Sequence, residues 1–145
     1  MENCIFCKII RGEIPSKKVF EDDQLLVIED VSPQAPLHLL LLPKVHFVNC
    51  LDMTPQEDAL VGYAFRKGGE IAREKGYDAS GFRIVQNNGW AAGQVIFHLH
   101  LHVIPMKSDE GFSHGVAYRS AASLREAEEL KLDAQKIRNQ LIKDT

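Results

Sequence analysis

The most informative part of the chain is Phe97-His98-Leu99-His100-Leu101-His102-Val103, in which histidines alternate strictly with apolar residues. Because side chains alternate between the two faces of a β-strand, this pattern predicts three histidines on one face and three apolar residues in the core. Neighbouring histidines on that face would lie roughly 6–7 Å apart, which is two residues of strand rise. Three imidazoles bury little apolar surface, so the pattern favours a chemical role over the polar outer face of an edge strand.

Two kinds of chemistry suit such a row. Neutral imidazole is a common metal ligand, so one candidate is a zinc-dependent hydrolase whose catalytic metal is held by His98, His100 and His102. Three ligands from one strand would strain tetrahedral geometry, however. The other candidate is covalent phosphoryl or nucleotidyl transfer, because imidazole is a nucleophile near neutral pH and neighbouring imidazoliums can neutralise phosphate charge.

The sequence around the histidines predicts an α+β fold. Strands, one helix, more strands and a final helix fit one antiparallel sheet better than alternating parallel units. A short helical turn is expected at residues 5–11, and a C-terminal helix from an N-cap at Ser123 to about Lys143. The strand candidates are residues 18–22, 25–30, 37–42, 82–86 and 95–104, of which the apolar run 37–42 is expected to be buried on both faces.

A long central helix is predicted between these strands. Thr54 and Glu57 give the start signal of a helix, with Pro55 in its first turn, and Gly76 gives the stop after about Lys75. Gly68 and Gly69 are expected to weaken this helix. Its apolar stripe is expected to comprise Ala59, Leu60, Tyr63, Ala64, Ile71 and Ala72.

The composition is that of an ordinary globular protein. The 145 residues suit a single domain spanning 1–145, with 45% hydrophobic and 26% charged residues. A net charge of -3 gives no sign of a nucleic-acid or anionic-membrane surface, and no apolar run of about 18 residues predicts a membrane span. The first ten residues lack the pattern of a secretory signal, so we expect a cytoplasmic protein.

Three segments, one of which contains the histidine stretch, carry a resemblance to a known family. Residues 93–103 resemble the histidine triad signature, in which three histidines alternate with apolar residues, and residues 5–15 and 30–38 resemble the nucleotide-binding Hint branch of that family. The likeness covers roughly residues 4–106. It implies the HIT-like fold, a five-stranded antiparallel sheet with a long central helix, a short N-terminal helix and a C-terminal helix. It also implies a homodimer with the helix of about residues 53–75 in the interface.

The resemblance implies a function for the histidines. In this family the middle histidine, here His100, attacks the α-phosphorus of a purine nucleotide and forms a nucleotidyl-histidine intermediate, which water then hydrolyses. His102 would contact a phosphate oxygen or give a proton to the leaving group, and His38 would support the same cluster. A nucleoside 5′-phosphoramidate of the AMP-amine type is the expected substrate. The alternatives are a dinucleoside polyphosphate hydrolase of the same superfamily and a nucleotide-binding interaction module without turnover.

The resemblance also implies a nucleotide site. Asp30 can accept hydrogen bonds from both ribose hydroxyls, although it could equally cap the following loop. Val95 stands where the best-known Hint proteins have serine, which leaves the preferred leaving group open. The apolar slot for the base is expected to comprise Phe6, Ile9, Ile28 and Val31, and the phosphate cradle Asn87, Gly93, Gln94 and Val95.

Cys4 and Cys7 have the spacing of a zinc knuckle, although two ordinary thiols or a redox pair would share it. Some members of the family hold a structural zinc with such a pair and two histidines, which correspond here to His46 and His98. The resemblance therefore implies one structural zinc per chain and no catalytic cofactor. The third cysteine, Cys50, is expected to pack in the interior, and His114 to be solvated.

Overall fold

The computed structural model of the chain describes residues 2–35, 37–106 and 127–143. The chain divides into two compact units, residues 1–111 and 112–145. The first unit contains, in order, α1 (Ile5–Ile10), β1 (Lys18–Glu21), β2 (Leu25–Glu29), β3 (Leu39–Pro43), α2 (Asp58–Glu74), β4 (Phe82–Val85) and β5 (Leu101–Pro105).

The five strands form one antiparallel sheet in the order β1-β2-β3-β5-β4. β5 is inserted between β3 and β4, with Leu41 opposite Leu101 and Ile84 opposite Val103. The three interior strands β2, β3 and β5 contain most of the buried strand residues, as expected for strands that are paired on both sides. The predicted α+β architecture with an antiparallel sheet and a long helix is confirmed.

The sheet has a packed core on each face. On one face, apolar residues of the central strands, including Leu41 and Val103, pack against Ala64 and Ile71 of α2. On the other, the alternate residues, including Leu40, form a second cluster with Phe6 and Ile9 of α1. Every residue of β3 is buried, as predicted for this run.

α2 begins and ends where the sequence indicates. Thr54 and Glu57 form a capping box, and a single 3-10 turn at Pro55–Glu57 leads into the helix. The backbone of Gly76 has φ of +86° just after its end. One detail was wrong, since Ala59 is exposed. Gly68 is also a packing position, because a Cβ there would lie 3.2 Å from Val103 Cγ2. The helix lies close to the sheet at this glycine, so its lack of a side chain serves the contact.

The strand predicted at 95–104 was wrong at its start, because only Leu101–Pro105 joins the sheet. His98 and His100 precede the strand. Pro43 has no N–H for the ladder, and its carbonyl accepts the His98 ring N–H at 2.7 Å. Leu99 N–H donates to Phe47 O at 2.7 Å. Even so, the predicted alternation persists, since the rings of His98 and His100 both pack against Phe6 whereas Leu101 and Val103 pack in the cluster with α2.

The described part of the second unit is the helix α3 (Ala127–Lys143), in which Leu130, Ile137 and Leu141 are exposed. The predicted N-cap Ser123 and the loop containing His114 lie outside the described residues. None of the helices in the described part of the chain has the length and apolarity needed to cross a bilayer.

Candidate functional site

Two clusters of metal-ligating and titratable side chains lie at the histidine stretch. The first, called here the metal-ligand cluster, comprises Cys4, Cys7, His46 and His98. It joins three separate segments: α1, the turn after β3 and the segment that precedes β5. Cys4 is the N-cap of α1, and its sulfur accepts the N–H of Cys7. These segments are far apart in sequence, so the four donors meet only in the folded chain.

Four of the six distances between the donors fit a tetrahedral zinc ion, and all four donor atoms lie within 4.8 Å of one another. Cys4 Sγ and Cys7 Sγ lie 3.5 and 3.6 Å from His98 Nδ1, and Cys7 Sγ lies 3.3 Å from His46 Nδ1. The two Nδ1 atoms are 3.2 Å apart. Tetrahedral zinc bonds of ordinary length would place such donors about 3.3–3.8 Å from one another.

The tautomer of His98 also suits a metal ligand. Its Nε2–H donates to the Pro43 carbonyl at 2.7 Å, so the lone pair of Nδ1 points at the other three donors. Metal-binding histidines usually donate their second ring N–H in this way. Burial of the ring lowers the pKa of His98 to about 4, so the imidazole is neutral and able to ligate at neutral pH.

The second cluster, called here the imidazole cluster, comprises Asp30, His38, His100 and His102. The Nδ1–H of His100 donates to the carbonyl of His98 at 2.7 Å, which leaves Nε2 with a free lone pair. The His100 ring packs edge-on against Phe6, with centroids 5.0 Å apart. The sequence could not identify this acceptor, because it is a backbone carbonyl and every residue has one.

A chain of hydrogen bonds fixes the tautomers of the other two imidazoles. Gln34 N–H donates to His38 Nδ1 at 3.0 Å, so the His38 proton lies on Nε2. His38 Nε2–H in turn donates to His102 Nδ1 at 2.9 Å, which places the His102 proton on its own Nε2. Asp30 Oδ2 lies 3.3 Å from His38 Nε2 and 3.9 Å from His102 Nδ1. His102 therefore presents an N–H donor beside the free lone pair of His100.

The protonation of these rings bears on a possible second metal site and on the charge of the imidazole cluster. Asp30, His38 and His102 are close enough together to suggest a second metal site, but the proton on His38 Nε2 leaves no lone pair there for an ion. The imidazoles are neutral in the free protein at neutral pH, so an imidazolium that neutralises phosphate charge would form as the ligand binds. Burial lowers the pKa of His38 and His100, and burial together with the two neighbouring imidazoles lowers the pKa of His102 to about 4.

A cavity of about 660 Å³ lies beside the imidazole cluster, between α1, β2 and the loop after β2. Ile9, Ile28 and Asp30 line it, and Val31 stands at its rim with 98% of its surface exposed. Phe6 lies outside the lining and packs against the rings of His98 and His100. Asp30 Oδ1 accepts the N–H of Ser32 at 2.8 Å, so this carboxylate does cap the loop, while Oδ2 faces the imidazoles.

The loop before β5 is braced by Gln94, a role that the sequence did not indicate. The buried Gln94 amide donates to the carbonyls of Val48 and Ile96, and its oxygen accepts from Asn49 and Gly89. Both of its N–H groups are thus used within the protein. The expectation that this side chain donates to phosphate is corrected accordingly.

The rest of this loop is open to ligands. The backbone of Gly93 has φ of +93°, and a Cβ there would lie 3.8 Å from Asn87 Nδ2. Val95 is 84% exposed.

Cys50, expected in the interior, is exposed instead, and its thiol donates to Asn88 Oδ1 at 2.9 Å. One polar group of the cavity wall also escaped sequence analysis: Ser16 Oγ is buried and has no hydrogen-bond partner among the described residues.

Comparison with known proteins places the chain in a family. Residues 3–116 match the family described as "Scavenger mRNA decapping enzyme C-term binding". Protein HitA of Neisseria gonorrhoeae is 45% identical over 104 residues, which is 72% of this chain and 96% of that protein. The chain belongs to the histidine triad (HIT) family.

Solved structures of the family share the fold. A HIT family hydrolase from Legionella pneumophila Philadelphia 1 is 38% identical, with a TM-score of 0.71 over 72% of this chain and 94% of its own. A histidine triad nucleotide-binding protein from Candida albicans is 28% identical, with a TM-score of 0.80 over 99% and 100%. A Zn-bound histidine triad family protein from Mycobacterium smegmatis is 37% identical, with a TM-score of 0.68 over 77% and 81%.

Proposed function

We propose that the chain is a hydrolase of purine nucleoside 5′-phosphoramidates that cleaves the bond between the α-phosphorus and the leaving amine. The observation that carries the proposal is the hydrogen bond from His100 Nδ1–H to the His98 carbonyl. It holds the tautomer whose Nε2 is a free nucleophile, in a buried position where the imidazole stays neutral. The descriptions of the Legionella and Candida relatives, a hydrolase and a nucleotide-binding protein, support the same class.

In the first step, His100 Nε2 forms a bond to the α-phosphorus and the bond to the leaving nitrogen breaks. An anionic phosphate beside His102 favours the protonated imidazole, so this ring takes up a proton on Nδ1 as substrate binds, and the hydrogen bond from His38 Nε2–H to that atom opens. His102 Nε2 then gives its own proton to the departing nitrogen, which leaves as a neutral amine, while the added proton stays on Nδ1. Asp30 Oδ2 lies near both His38 and His102 and stabilises the transient positive charge.

In the second step, water attacks the phosphorus of the nucleotidyl-His100 intermediate. His102 Nε2 now carries a lone pair and takes a proton from the water as the new oxygen–phosphorus bond forms. The bond from phosphorus to His100 Nε2 breaks, and the nucleoside monophosphate departs. His102 gives its extra proton back to solvent, which restores the starting state.

The cavity beside the imidazole cluster is the proposed site of the nucleoside. Its apolar wall of Ile9 and Ile28 suits a purine ring, with Val31 at the rim and Phe6 supporting the His100 ring from below. Asp30 would accept from the ribose hydroxyls with lone pairs that its loop cap leaves free. The backbone N–H of Val95 and the side chain of Asn87 remain the proposed phosphate donors, and Gly93 lets the backbone come close to the ligand.

The metal-ligand cluster is proposed to hold one structural zinc ion. Its donor set is of the closed kind with two cysteines and two histidines, and the zinc-bound Mycobacterium relative supports the assignment. When bound, the ion links α1 to the segment before β5 and leaves no coordination position for a reacting water. The homodimer that the resemblance implies is likewise proposed, with the partly exposed Phe65 of α2 in its interface.

Hydrolysis of adenosine 5′-phosphoramidate by the wild type and by His100→Ala tests the proposal. We expect turnover by the wild type, none by the variant, and no loss on treatment with EDTA brief enough to leave the structural zinc in place. Turnover by His100→Ala that depends on added metal would contradict covalent catalysis. A wild type that binds AMP but turns over neither phosphoramidates nor diadenosine polyphosphates would indicate a binding module.

A further inference from the structure

His98 is a member of the metal-ligand cluster and also contacts the imidazole cluster through its backbone carbonyl. Its ring Nδ1 faces the sulfurs and the imidazole of the metal-ligand cluster, 3.2–3.6 Å away. Its backbone carbonyl, on the other side, accepts the Nδ1–H of His100 at 2.7 Å. The residue is completely buried, so neither contact is shared with solvent.

We propose that His98 is a positioning residue through which a metal ion in the metal-ligand cluster sets the tautomer and direction of His100. The inference rests on the proposed function for the role of His100 as nucleophile. The ring of His98 is held by the Pro43 carbonyl at Nε2 and would be held by the metal ion at Nδ1. A ring fixed at both nitrogens restrains the backbone of the same residue, and with it the direction of the His98 carbonyl. The zinc-binding residues are then more than an anchor for the N-terminus.

The segment before β5 needs such a restraint. His98 and His100 lie outside the ladder of the sheet, so regular strand pairing does not define the direction of the His98 carbonyl. Next to it, Leu99 N–H bonds to Phe47 O, one residue after His46. The metal-ligand cluster, through His46 and His98, therefore links the same two chain segments that this hydrogen bond joins. If the His98 carbonyl turned away, His100 could place its proton on Nε2 and lose the lone pair that attacks phosphorus.

A second contact supports the same coupling. Phe6 lies between Cys4 and Cys7 in the chain and packs edge-on against both rings, with centroids 6.0 Å from His98 and 5.0 Å from His100. A metal ion that holds the two cysteines consequently also holds the ring that supports His100. Hydrogen-bonded partners of metal ligands typically change metal affinity or activity by about 10–100-fold when they are lost, and we expect an effect of that size for the bond between His98 and His100.

The experiment compares three variants of the full chain. His46→Ala removes one ligand without touching the imidazole cluster, while His46→Cys keeps a closed donor set of three cysteines and one histidine. Cys50→Ser is the matched control, since Cys50 lies outside the metal-ligand cluster. For each protein we would measure zinc per chain, kcat and KM for adenosine 5′-phosphoramidate, and the 15N resonances of the His100 ring, with amide spectra as the test of folding.

We expect the His100 Nδ1–H signal and kcat to follow the zinc content. His46→Ala should lose zinc, lose or broaden that signal and fall about 10–100-fold in kcat with KM changed much less. His46→Cys should recover each property to the extent that it holds zinc, and Cys50→Ser should match the wild type. A folded His46→Ala protein without zinc but with an unchanged His100 signal and kcat would overturn the inference.

Exchange of zinc for cadmium in the wild type gives a test that requires no variant to fold. The larger ion lengthens the bonds to His98, so the His100 Nδ1 resonance should shift; an unchanged resonance would argue against coupling. These spectra also separate the two proposals. If the wild type hydrolyses no phosphoramidate, the proposed function fails, while the response of His100 to the metal still decides the coupling.

Discussion

The metal-ligand cluster and the imidazole cluster use histidines from the same seven-residue stretch for different purposes. In His98, the Pro43 carbonyl takes Nε2–H and leaves Nδ1 as a ligand. In His100, the His98 carbonyl takes Nδ1–H and leaves Nε2 as a nucleophile. In His102, Nδ1 accepts the hydrogen bond from His38 Nε2–H, so the His102 proton lies on Nε2, where it can be donated. Backbone and neighbouring groups, and not residue type, thus decide what each imidazole can do.

The largest expected effect comes from a substitution that damages the imidazole cluster and leaves the metal-ligand cluster intact. His100→Ala should lower kcat by about 10⁴-fold or more, because it removes the atom that forms the covalent bond, while zinc per chain stays that of the wild type. Steady-state kinetics and metal analysis of the same preparation measure both quantities. Loss of zinc in His100→Ala would show that the clusters are not separable in this way.

Within the imidazole cluster, His102→Ala should cost about 10²–10⁴-fold in kcat with an amine leaving group, which needs a proton to depart. With a p-nitrophenyl ester of AMP, the burst of p-nitrophenolate that reports the first step should be slowed much less, because p-nitrophenolate leaves without a proton. Parallel assays with the two substrates give the comparison. Equal losses with both would assign His102 to phosphate binding instead of proton transfer.

The imidazole cluster should also make the fold sensitive to acid. His102 has a folded-state pKa of about 4, against about 6.5 when unfolded. The unfolded chain takes up this proton first, so the free energy of unfolding is unaffected above about pH 7 and falls as pH drops from 6.5 to 4. Urea unfolding from pH 6.5 to 4 should show that the free energy of unfolding of His102→Gln declines less steeply than that of the wild type, by up to about 1 kcal/mol per pH unit. An identical decline would exclude His102 as a source of the sensitivity.

The smallest effect concerns Ser16, in the wall of the cavity beside the imidazole cluster. Unlike the partnered imidazoles, its buried hydroxyl has no hydrogen-bond partner among the described residues. Ser16→Ala should therefore stabilise the protein by about 1 kcal/mol or less. The control is Thr54→Ala, which removes a partnered capping hydroxyl and should destabilise by about 1 kcal/mol. Urea midpoints that move in the same direction for both variants would contradict this contrast.

Much of the fold could be predicted because its signals are local. The capping box at Thr54 and Glu57, the apolar run of β3 and the glycine at the end of α2 each act through neighbouring residues. The extent of β5 could not be predicted in this way. Alternation of side chains continues through His98 and His100 although the ladder starts only at Leu101, where partners on β3 and β4 are available.

The site shows a similar division between side chains and their partners. The resemblance correctly brought Cys4, Cys7, His46 and His98 together. It could not supply the carbonyls of Pro43 and His98 or the N–H of Gln34, because every residue carries such groups. The internal hydrogen bonds of Gln94 also depend on distant backbone atoms, which is why its expected contact with phosphate was wrong.

The most direct test of the account is a search for the covalent intermediate. Wild type and His102→Ala would be mixed with adenosine 5′-phosphoramidate, quenched at alkaline pH, where a phosphorylated imidazole survives, and mapped by peptide mass spectrometry. We predict one added adenosine monophosphoryl group, located on His100 and absent from His100→Ala. Turnover with no adduct on His100, or with the adduct on another residue, would contradict the assignment of His100 as the nucleophile.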